Sequence, residues 1–300
     1  MATYNGAAFL MDQLESLKRQ SVAPRWVIIS DDGSSDATVQ IVQAFFKRWA
    51  DCNLVLVQGP RQGYSANFFH ALSYVPDDTT AIALSDQDDV WFDDKLERGL
   101  ARLSQEADDQ SVVYGAASIL CDPKLAPIGP SRITTVPPSL RHALVQNFAG
   151  GNTMIFNPVA TRLVTALAKN IRGVEVHDWW LYQLVTAAGG KAVYDSNPCL
   201  YYRQHSQNLI GANKGVRASA NRFCAMLRGT YKRWNTQNLN ALLSVEDRLT
   251  PAAVSLIKSS LALRERRWIG RLTGLRDLGL YRQGLKGTFG LWLSVLLNRF

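Results

Sequence analysis

"RWVIISDDGSSDATVQIVQAFFKRW", Arg25–Trp49, decides the architecture. Trp26–Ser30 is a short apolar run suited to a strand covered on both faces. The polar cluster "DDGSSD" reads as a turn, and Ser34, Ser35 or Asp36 can cap the helix that follows. Upstream, "AAFLMDQLESLKRQS" carries Phe9, Leu10, Leu14 and Leu17 at helical spacing. Downstream, "NLVLVQ" (Asn53–Gln58) reads as a strand, "GYSANFFHALSYV" (Gly63–Val75) as a helix, and "TAIALS" as the start of another strand. Strand and helix therefore alternate through roughly the first third of the chain, which predicts an α/β fold with a mostly parallel sheet flanked by helices. Ligands of such sheets bind beyond the carboxyl ends of the strands. "ATYNG", "SDDGSSD", "QGPRQG" and "SDQDD" each follow a predicted strand end, so four polar loops are expected along one rim.

The fourth loop poses a chemical problem. Ala81, Ile82, Ala83 and Leu84 run straight into Asp86, Asp88 and Asp89. Close like charges raise one another's pKa, so a positive group belongs nearby. Alternate residues of an extended segment point the same way, which brings Asp86 and Asp88 together. Two converging carboxylates suit Mg²⁺ or Mn²⁺, shared with a diphosphate. A solvated acidic loop capping the helix of "FDDKLERGL" is the competing reading. Asp31 and Asp32 either form the turn or accept hydrogen bonds from a base or ribose. "GPRQG", ending at Gly63, allows close backbone approach to phosphate, with Arg61 adding charge.

Two later stretches carry further chemistry. In "VEVHDWWLYQL", Asp178 stands at a helix start, where it either caps exposed N–H groups or acts as a general base. Trp179 and Trp180 are either core or, in part, an apolar wall for a sugar face. In "YYRQHSQNLIG", His205 can complete a carboxylate–metal shell and Arg203 can hold a phosphate. "FAGGNTMIFN" sets a glycine pair before a strand, by default a turn.

Composition bounds the rest. The 300 residues are 47% hydrophobic, enough for one large or two modest domains. Cys52, Cys121, Cys199 and Cys224 form no C-x-x-C pair, which argues against a zinc site or disulfide framework and fits a reducing cytoplasmic setting. No stretch approaches the ~20 apolar residues of a membrane span. The net charge of +8 is uneven: from Tyr201 onward there are 17 Lys and Arg against 4 Asp and Glu. Leu285, Phe289, Trp292 and Leu296 recur at helical spacing near Arg282, Lys286 and Arg299. Such a basic amphipathic helix either binds an anionic membrane surface or packs on the catalytic domain or a partner, so the expected location is cytoplasmic, either free or peripheral on the inner face of the plasma membrane. No nucleic-acid partner is expected, because the tail's aromatic residues lie among aliphatic ones. Only Met1–Thr3 precede "YNG", too few for a central strand. A translation start upstream of Met1 is therefore expected, testable by the mass of the native protein.

Taken in order, "ATYNG", "ISDDGSSD", "RQGYSANFFHAL", "LSDQDDVW", "AGGNTMIFN", "VHDWWLY" and "YRQHSQNLIG" resemble a family 2 glycosyltransferase of the GT-A fold, in its bacterial rhamnosyltransferase-like branch. The resemblance implies a catalytic domain over 1–211 and a basic helical region over 212–300. It implies that Thr3, Tyr4, Asn5, Asp31 and Asp32 hold the nucleotide, with Gly63 beside it. Asp86 would face the ribose and Asp88 the metal, with His205 near the metal and diphosphate. Asp178 falls where the family has its catalytic base, although many members carry Glu-Asp where this chain has His177-Asp178. The implied reaction is inverting transfer of a sugar, dTDP-L-rhamnose being the favoured donor, to a glycan or lipid-linked acceptor. A nucleotidyltransferase would want a Gly-rich basic loop after the first strand, which "TYNGAAF" lacks.

Overall fold

The computed structural model describes residues 1–205, 208 and 224–300. They fall into two compact units. The first comprises Met1–Ile133, Ala149–Ile171 and Val193–Gly211; the second comprises Thr134–Phe148, Arg172–Ala192 and Ala212–Phe300. The sequence-based boundary after Gly211 lies outside the described residues, and the second unit also takes two earlier segments.

The first unit opens with three parallel strands, β1 (Ala2–Thr3), β2 (Trp26–Asp31) and β3 (Asn53–Gln58), in that order. They alternate with α1 (Leu10–Lys18), α2 (Thr38–Phe46) and α3 (Tyr64–Leu72). The apolar spacing does its expected work: Leu10, Leu14 and Leu17 of α1, Val27 and Ile29 of β2, and Val42 and Phe45 of α2 share one buried cluster. Their turns deliver the segments after Thr3, Asp31 and Gln58 to the carboxyl edge of this sheet.

Beyond it come β4 (Ile82–Ala83), β5 (Val90–Trp91), α4 (Lys95–Leu103), β6 (Val112–Cys121) and β7 (Pro127–Pro130). After α5 (Leu140–Ala143), which belongs to the second unit, the first unit resumes with β8 (Ile155–Phe156), α6 (Pro158–Ala168) and, from Val193 on, most of the strand Lys191–Arg203. These strands form a second sheet in the order β4-β8-β6, then the Lys191–Arg203 strand, then β5, with β7 paired to β6. The pairs β4–β8, β6–β8 and β6–β7 are antiparallel. For β6 and β7 the reason is connection length. β6 and β7 are joined by a tight turn at Asp122–Ala126, where Asp122 Oδ1 accepts from the amides of Lys124 and Ala126. Parallel pairing would need a crossover of a dozen residues or more.

"TAIALS" yields only a two-residue strand, shorter than its apolar run suggests, whereas Lys191–Arg203 forms one 13-residue strand. That length matters, because it carries Arg203 to the acidic loop.

In the second unit, α7 (His177–Ala187) is buried all round from Trp179 to Ala187, as expected of a core helix rather than an amphipathic one. Trp179 Nε1 and Gln183 Nε2 both donate to the Ala143 carbonyl, at 2.6 and 3.1 Å. The remaining helices are α8 (Thr230–Leu243), α9 (Pro251–Ala262), α10 (Trp268–Leu278) and α11 (Gly284–Leu296). Thr250 caps α9 by accepting from the Ala253 amide ahead of Pro251 at the first helical position. Among the described residues no helix is long and apolar enough to cross a membrane.

Candidate active site

The rim of the first unit is built by side chains that tie one polar loop to the next. Asn5 adopts a left-handed conformation, with φ of 47°. Its amide donates to Ser34 Oγ at 2.8 Å, and its Oδ1 accepts from the Ser35 amide at 2.8 Å. Asp31 is 6% exposed and faces inward. It accepts from Thr3 Oγ1 at 2.9 Å, Ser34 Oγ at 2.6 Å and the Ser34 amide at 2.8 Å. Asp32 points the other way and accepts from the backbone amides of Arg61 (2.6 Å) and Gly63 (3.0 Å). Gly63 has φ of 89° and open space where a Cβ would stand. Arg61 folds over Gly33: a Cβ there would lie 2.8 Å from Arg61 Nε. Thr3, Tyr4, Asn5, Asp31, Asp32 and Gly63 are therefore brought together. Thr3 and Asp31 turn inward, and Tyr4 stands 58% exposed at the lip.

The acidic loop joins this rim through a residue that the carboxylate reading passed over. Gln87 accepts from the Tyr4 amide at 2.9 Å and donates to the Tyr4 carbonyl at 3.0 Å, like a neighbouring strand. A Cβ on Gly6 would lie 2.3 Å from Gln87 Oε1, so the amide needs a glycine there. The alternation that pairs Asp86 with Asp88 places Gln87 on the opposite side; that signal was present in the sequence. Gln87→Ala should cost about 1 kcal/mol or less, these bonds being exposed. It should raise the apparent Kd for a nucleoside diphosphate, read by calorimetry, because the lip carrying Tyr4 loses its anchor.

The groups that make three carboxylates tolerable are now visible. Asp88 Oδ2 lies 2.8 Å from His205 Nε2, both side chains being largely buried. Asp89 is fully buried. It accepts from Asn152 Nδ2 at 2.6 Å and from the Arg203 amide at 3.2 Å. Burial first, then the charges of Asp88 and Asp86, raises its pKa well above the ordinary carboxylate range. Lys95, also fully buried, donates to the Asn152 carbonyl at 2.6 Å and sits 3.0 Å from the centre of the Trp91 ring. Burial pulls its ammonium down to about 7, against the pull of Asp89 and Asp86. Asp86 is half-buried at the head of the loop. Gln13 closes the frame from α1, accepting from Ser85 Oγ and Trp91 Nε1 and donating to the Asp89 carbonyl.

Arg203 has a different placement from the one its charge implied. It is 2% exposed, and its guanidinium is spent inward. It donates to the Asp88 carbonyl at 2.8 Å, to Asp12 Oδ2 at 2.8 Å and to the Pro123 carbonyl, and it lies over the Phe9 ring. Those partners leave it the frame of the acidic loop, its guanidinium holding the Asp88 carbonyl and its amide the Asp89 carboxylate, rather than a group reaching out to phosphate. Arg203→Met leaves buried carbonyls without donors, so it is expected to lower stability by about 3 kcal/mol, read as a fall in the urea midpoint.

Asp88 and His205 are an oxygen and a nitrogen donor of the kinds that could hold a divalent cation, and here they meet directly at 2.8 Å. Among the described residues no group of three or more His, Cys, Asp or Glu is placed to hold a metal ion.

Asp178 belongs to the second unit. It occupies the first turn of α7, half-buried between His177 and Trp179. The helix N-terminus favours its negative charge. Its neighbour His177 is 6% exposed, and burial lowers its pKa from 6.5 to about 3. His177 is thus a neutral side chain in this fold at neutral pH. Because the folded-state value lies below the unfolded one, protonation favours unfolding: stability is full above pH 6.5 and is lost as pH falls toward 3. The expected loss from this group is about 1.4 kcal/mol per pH unit in that window, and His177→Gln should flatten it in urea titrations. Trp180 is fully buried in the second unit and presents no wall. Gly150 serves a turn, its missing Cβ leaving room for Asn152 Oδ1 at 2.7 Å.

Comparison with known proteins places the family and the fold. The model of the family described as "Glycosyl transferase family 2" matches residues 1–156. The chain is 25% identical over 252 residues, 81% of this chain and 84% of the relative, to the dTDP-rhamnosyl transferase RfbG of Shigella flexneri. In fold it is similar to S. aureus TarS 1–349 in complex with UDP-GlcNAc, with TM-score 0.52, 16% identity, and 92% of this chain and 87% of that chain covered. It is also similar to the mannosyltransferase PcManGT from Pyrobaculum calidifontis in complex with GDP-Man and Mn²⁺, with TM-score 0.50, 15% identity, and 99% and 84% covered.

Proposed function

The chain belongs to glycosyl transferase family 2, and on that premise we propose that it transfers L-rhamnose from dTDP-L-rhamnose to a hydroxyl of a cell-surface glycan or lipid-linked acceptor, inverting the anomeric carbon. The observation that carries this reading is the Asp88–His205 pair, framed by buried Arg203 and Asn152 and latched by Gln87 to the lip at Tyr4. A dinucleotide-type site would not need that pair. The similarity to RfbG supports the sugar. TarS with UDP-GlcNAc and PcManGT with GDP-Man and Mn²⁺ support a nucleotide-sugar and a divalent cation in this fold.

In this reading Tyr4 covers the base, while Asn5 and Asp32 line the nucleotide loop. Thr3 and Asp31 hold that loop in shape. Gly63 lets phosphate approach the backbone, and Asp86 faces the ribose. Asp88 and His205 would hold Mg²⁺ or Mn²⁺, which when bound would neutralise charge on the departing diphosphate. Asp178 takes the proton from the acceptor hydroxyl. The acceptor oxygen forms its bond to the anomeric carbon as the bond from that carbon to the β-phosphate oxygen breaks. The electron pair leaves with the nucleoside diphosphate. The domain extents 1–211 and 212–300 stand as part of this proposal.

A donor panel with Mn²⁺ tests it. Hydrolysis of dTDP-L-rhamnose should exceed that of UDP-, GDP- and other dTDP-sugars. Faster hydrolysis of another donor would overturn the sugar, and hydrolysis of none would overturn the reaction.

A further inference from the structure

Within the second unit, α11 is buried on one side only. Leu291, Ser294 and Val295 face inward. Leu285 is 91% exposed and Phe289 71%, followed on the same stripe by exposed Trp292 and Leu296. The stripe is ~16 Å long at the helical rise per residue. Its far end is enlarged by a second helix. Arg271 of α10 donates from Nε to the Val295 carbonyl at 2.9 Å and from Nη2 to the Leu296 carbonyl at 2.8 Å. That contact sets the start of α10, with exposed Trp268 and Ile269, beside Leu296 and Leu297.

The same end opens into a cationic groove of about 450 Å³, lined by Arg228, Lys232, Arg233, Thr236 and Arg299 among others, with no acidic side chain in its walls. Lys232 donates to the carbonyl and Oδ1 of Asn298, at 3.3 and 2.9 Å, which fixes the groove against the residues that follow α11. Burial and then the neighbouring charges of Arg264 and Arg299 lower the Lys232 pKa. A groove lined by Arg228, Lys232, Arg233 and Arg299, with Glu265 the acidic charge felt at Lys232, beside exposed tryptophan, phenylalanine and leucine, is complementary to a surface with anionic phosphates above an apolar interior.

We propose that this surface docks on a bilayer containing acidic phospholipid, with Trp268, Ile269, Phe289, Trp292 and Leu296 entering the interfacial zone and the groove of Arg228, Arg233 and Arg299 taking the lipid phosphates. Tryptophan is at home at that depth. A protein partner would need its own apolar patch rimmed by acid, and a duplex would bring phosphates but no apolar layer for the stripe. The docking does not depend on which sugar is transferred.

The test is co-sedimentation of the full chain with vesicles of phosphatidylglycerol and phosphatidylethanolamine, against vesicles of phosphatidylcholine. Binding should be at least about tenfold tighter to the anionic vesicles. It should bring a blue shift of tryptophan emission. Arg228→Glu with Arg233→Glu and Arg299→Glu should weaken that binding about 10²-fold or more. Phe289→Ser with Trp268→Ser should weaken binding and reduce the blue shift, Trp292 keeping part of it. All these positions are exposed, so melting temperature and donor hydrolysis in detergent-free buffer should hold. Equal binding to both vesicle types, or binding untouched by the charge reversals, overturns the proposal. So does tighter binding to a DNA duplex than to anionic vesicles, or self-association through the stripe without vesicle binding.

Discussion

Asp178→Asn is expected to lower kcat about 10²–10⁴-fold, the range of a positioned general base, while leaving the Kd for the nucleotide-sugar nearly unchanged. The substitution keeps the size and polarity of the side chain. Asp178 sits half-buried at the N-terminus of a helix whose other faces are core, so the fold should lose only the favourable charge–dipole term, about 0.3–1 kcal/mol. A cap alone would show that small stability loss and full turnover. A base shows the reverse weighting: melting temperature nearly kept, donor binding kept, turnover gone. Asp178→Glu, which restores a carboxylate one methylene further out, should recover part of the rate. Full turnover in Asp178→Asn would leave Asp178 as a first-turn carboxylate that only complements the helix dipole.

The second large effect is at the cation pair. Asp88→Asn keeps an oxygen near His205 but removes the charge, and His205→Ala removes the other ligand. Each is expected to weaken Mn²⁺ binding, read by electron paramagnetic resonance of the free ion in the presence of nucleoside diphosphate, and to cut donor turnover about 10²–10³-fold. Asp88 also contributes its carbonyl to Arg203, and that bond survives both substitutions because it is main-chain. The frame of the loop should therefore stay folded, which separates loss of the cation from collapse of the loop. If Mn²⁺ affinity and turnover both persist in Asp88→Asn, the pair is a structural ion pair and the cation lies elsewhere.

The strand–helix alternation was legible because each segment buries its own apolar stripe. β2 and β3 follow "WVIIS" and "NLVLVQ", and Leu10, Leu14 and Leu17 lie in the core as their spacing required. The antiparallel half was harder. Its strands β4, β5 and β8 are two residues long, and so short a strand has no period to read. The direction of β6 against β7 came from a short turn rather than from the strands themselves. At the site, ordered motifs marked the loops, but not which side chains face outward. Charge alone made Arg203 a phosphate ligand; its burial depends on Asp12, Phe9 and Pro123, residues far away in sequence. Lys95 and Asn152 were invisible for the same reason, since one reads as a helix-surface lysine and the other as a turn residue, and only the fold puts both behind Asp89.

The most direct test of the whole account is a crystal grown with Mn²⁺ and dTDP, examined by anomalous scattering at the manganese edge. The expected result is one manganese peak within ligand distance of Asp88 Oδ2 and His205 Nε2, with the diphosphate completing its shell and the thymine beside Tyr4. Nucleotide bound at the rim with manganese away from Asp88, or manganese and nucleotide both bound away from the rim, would contradict it.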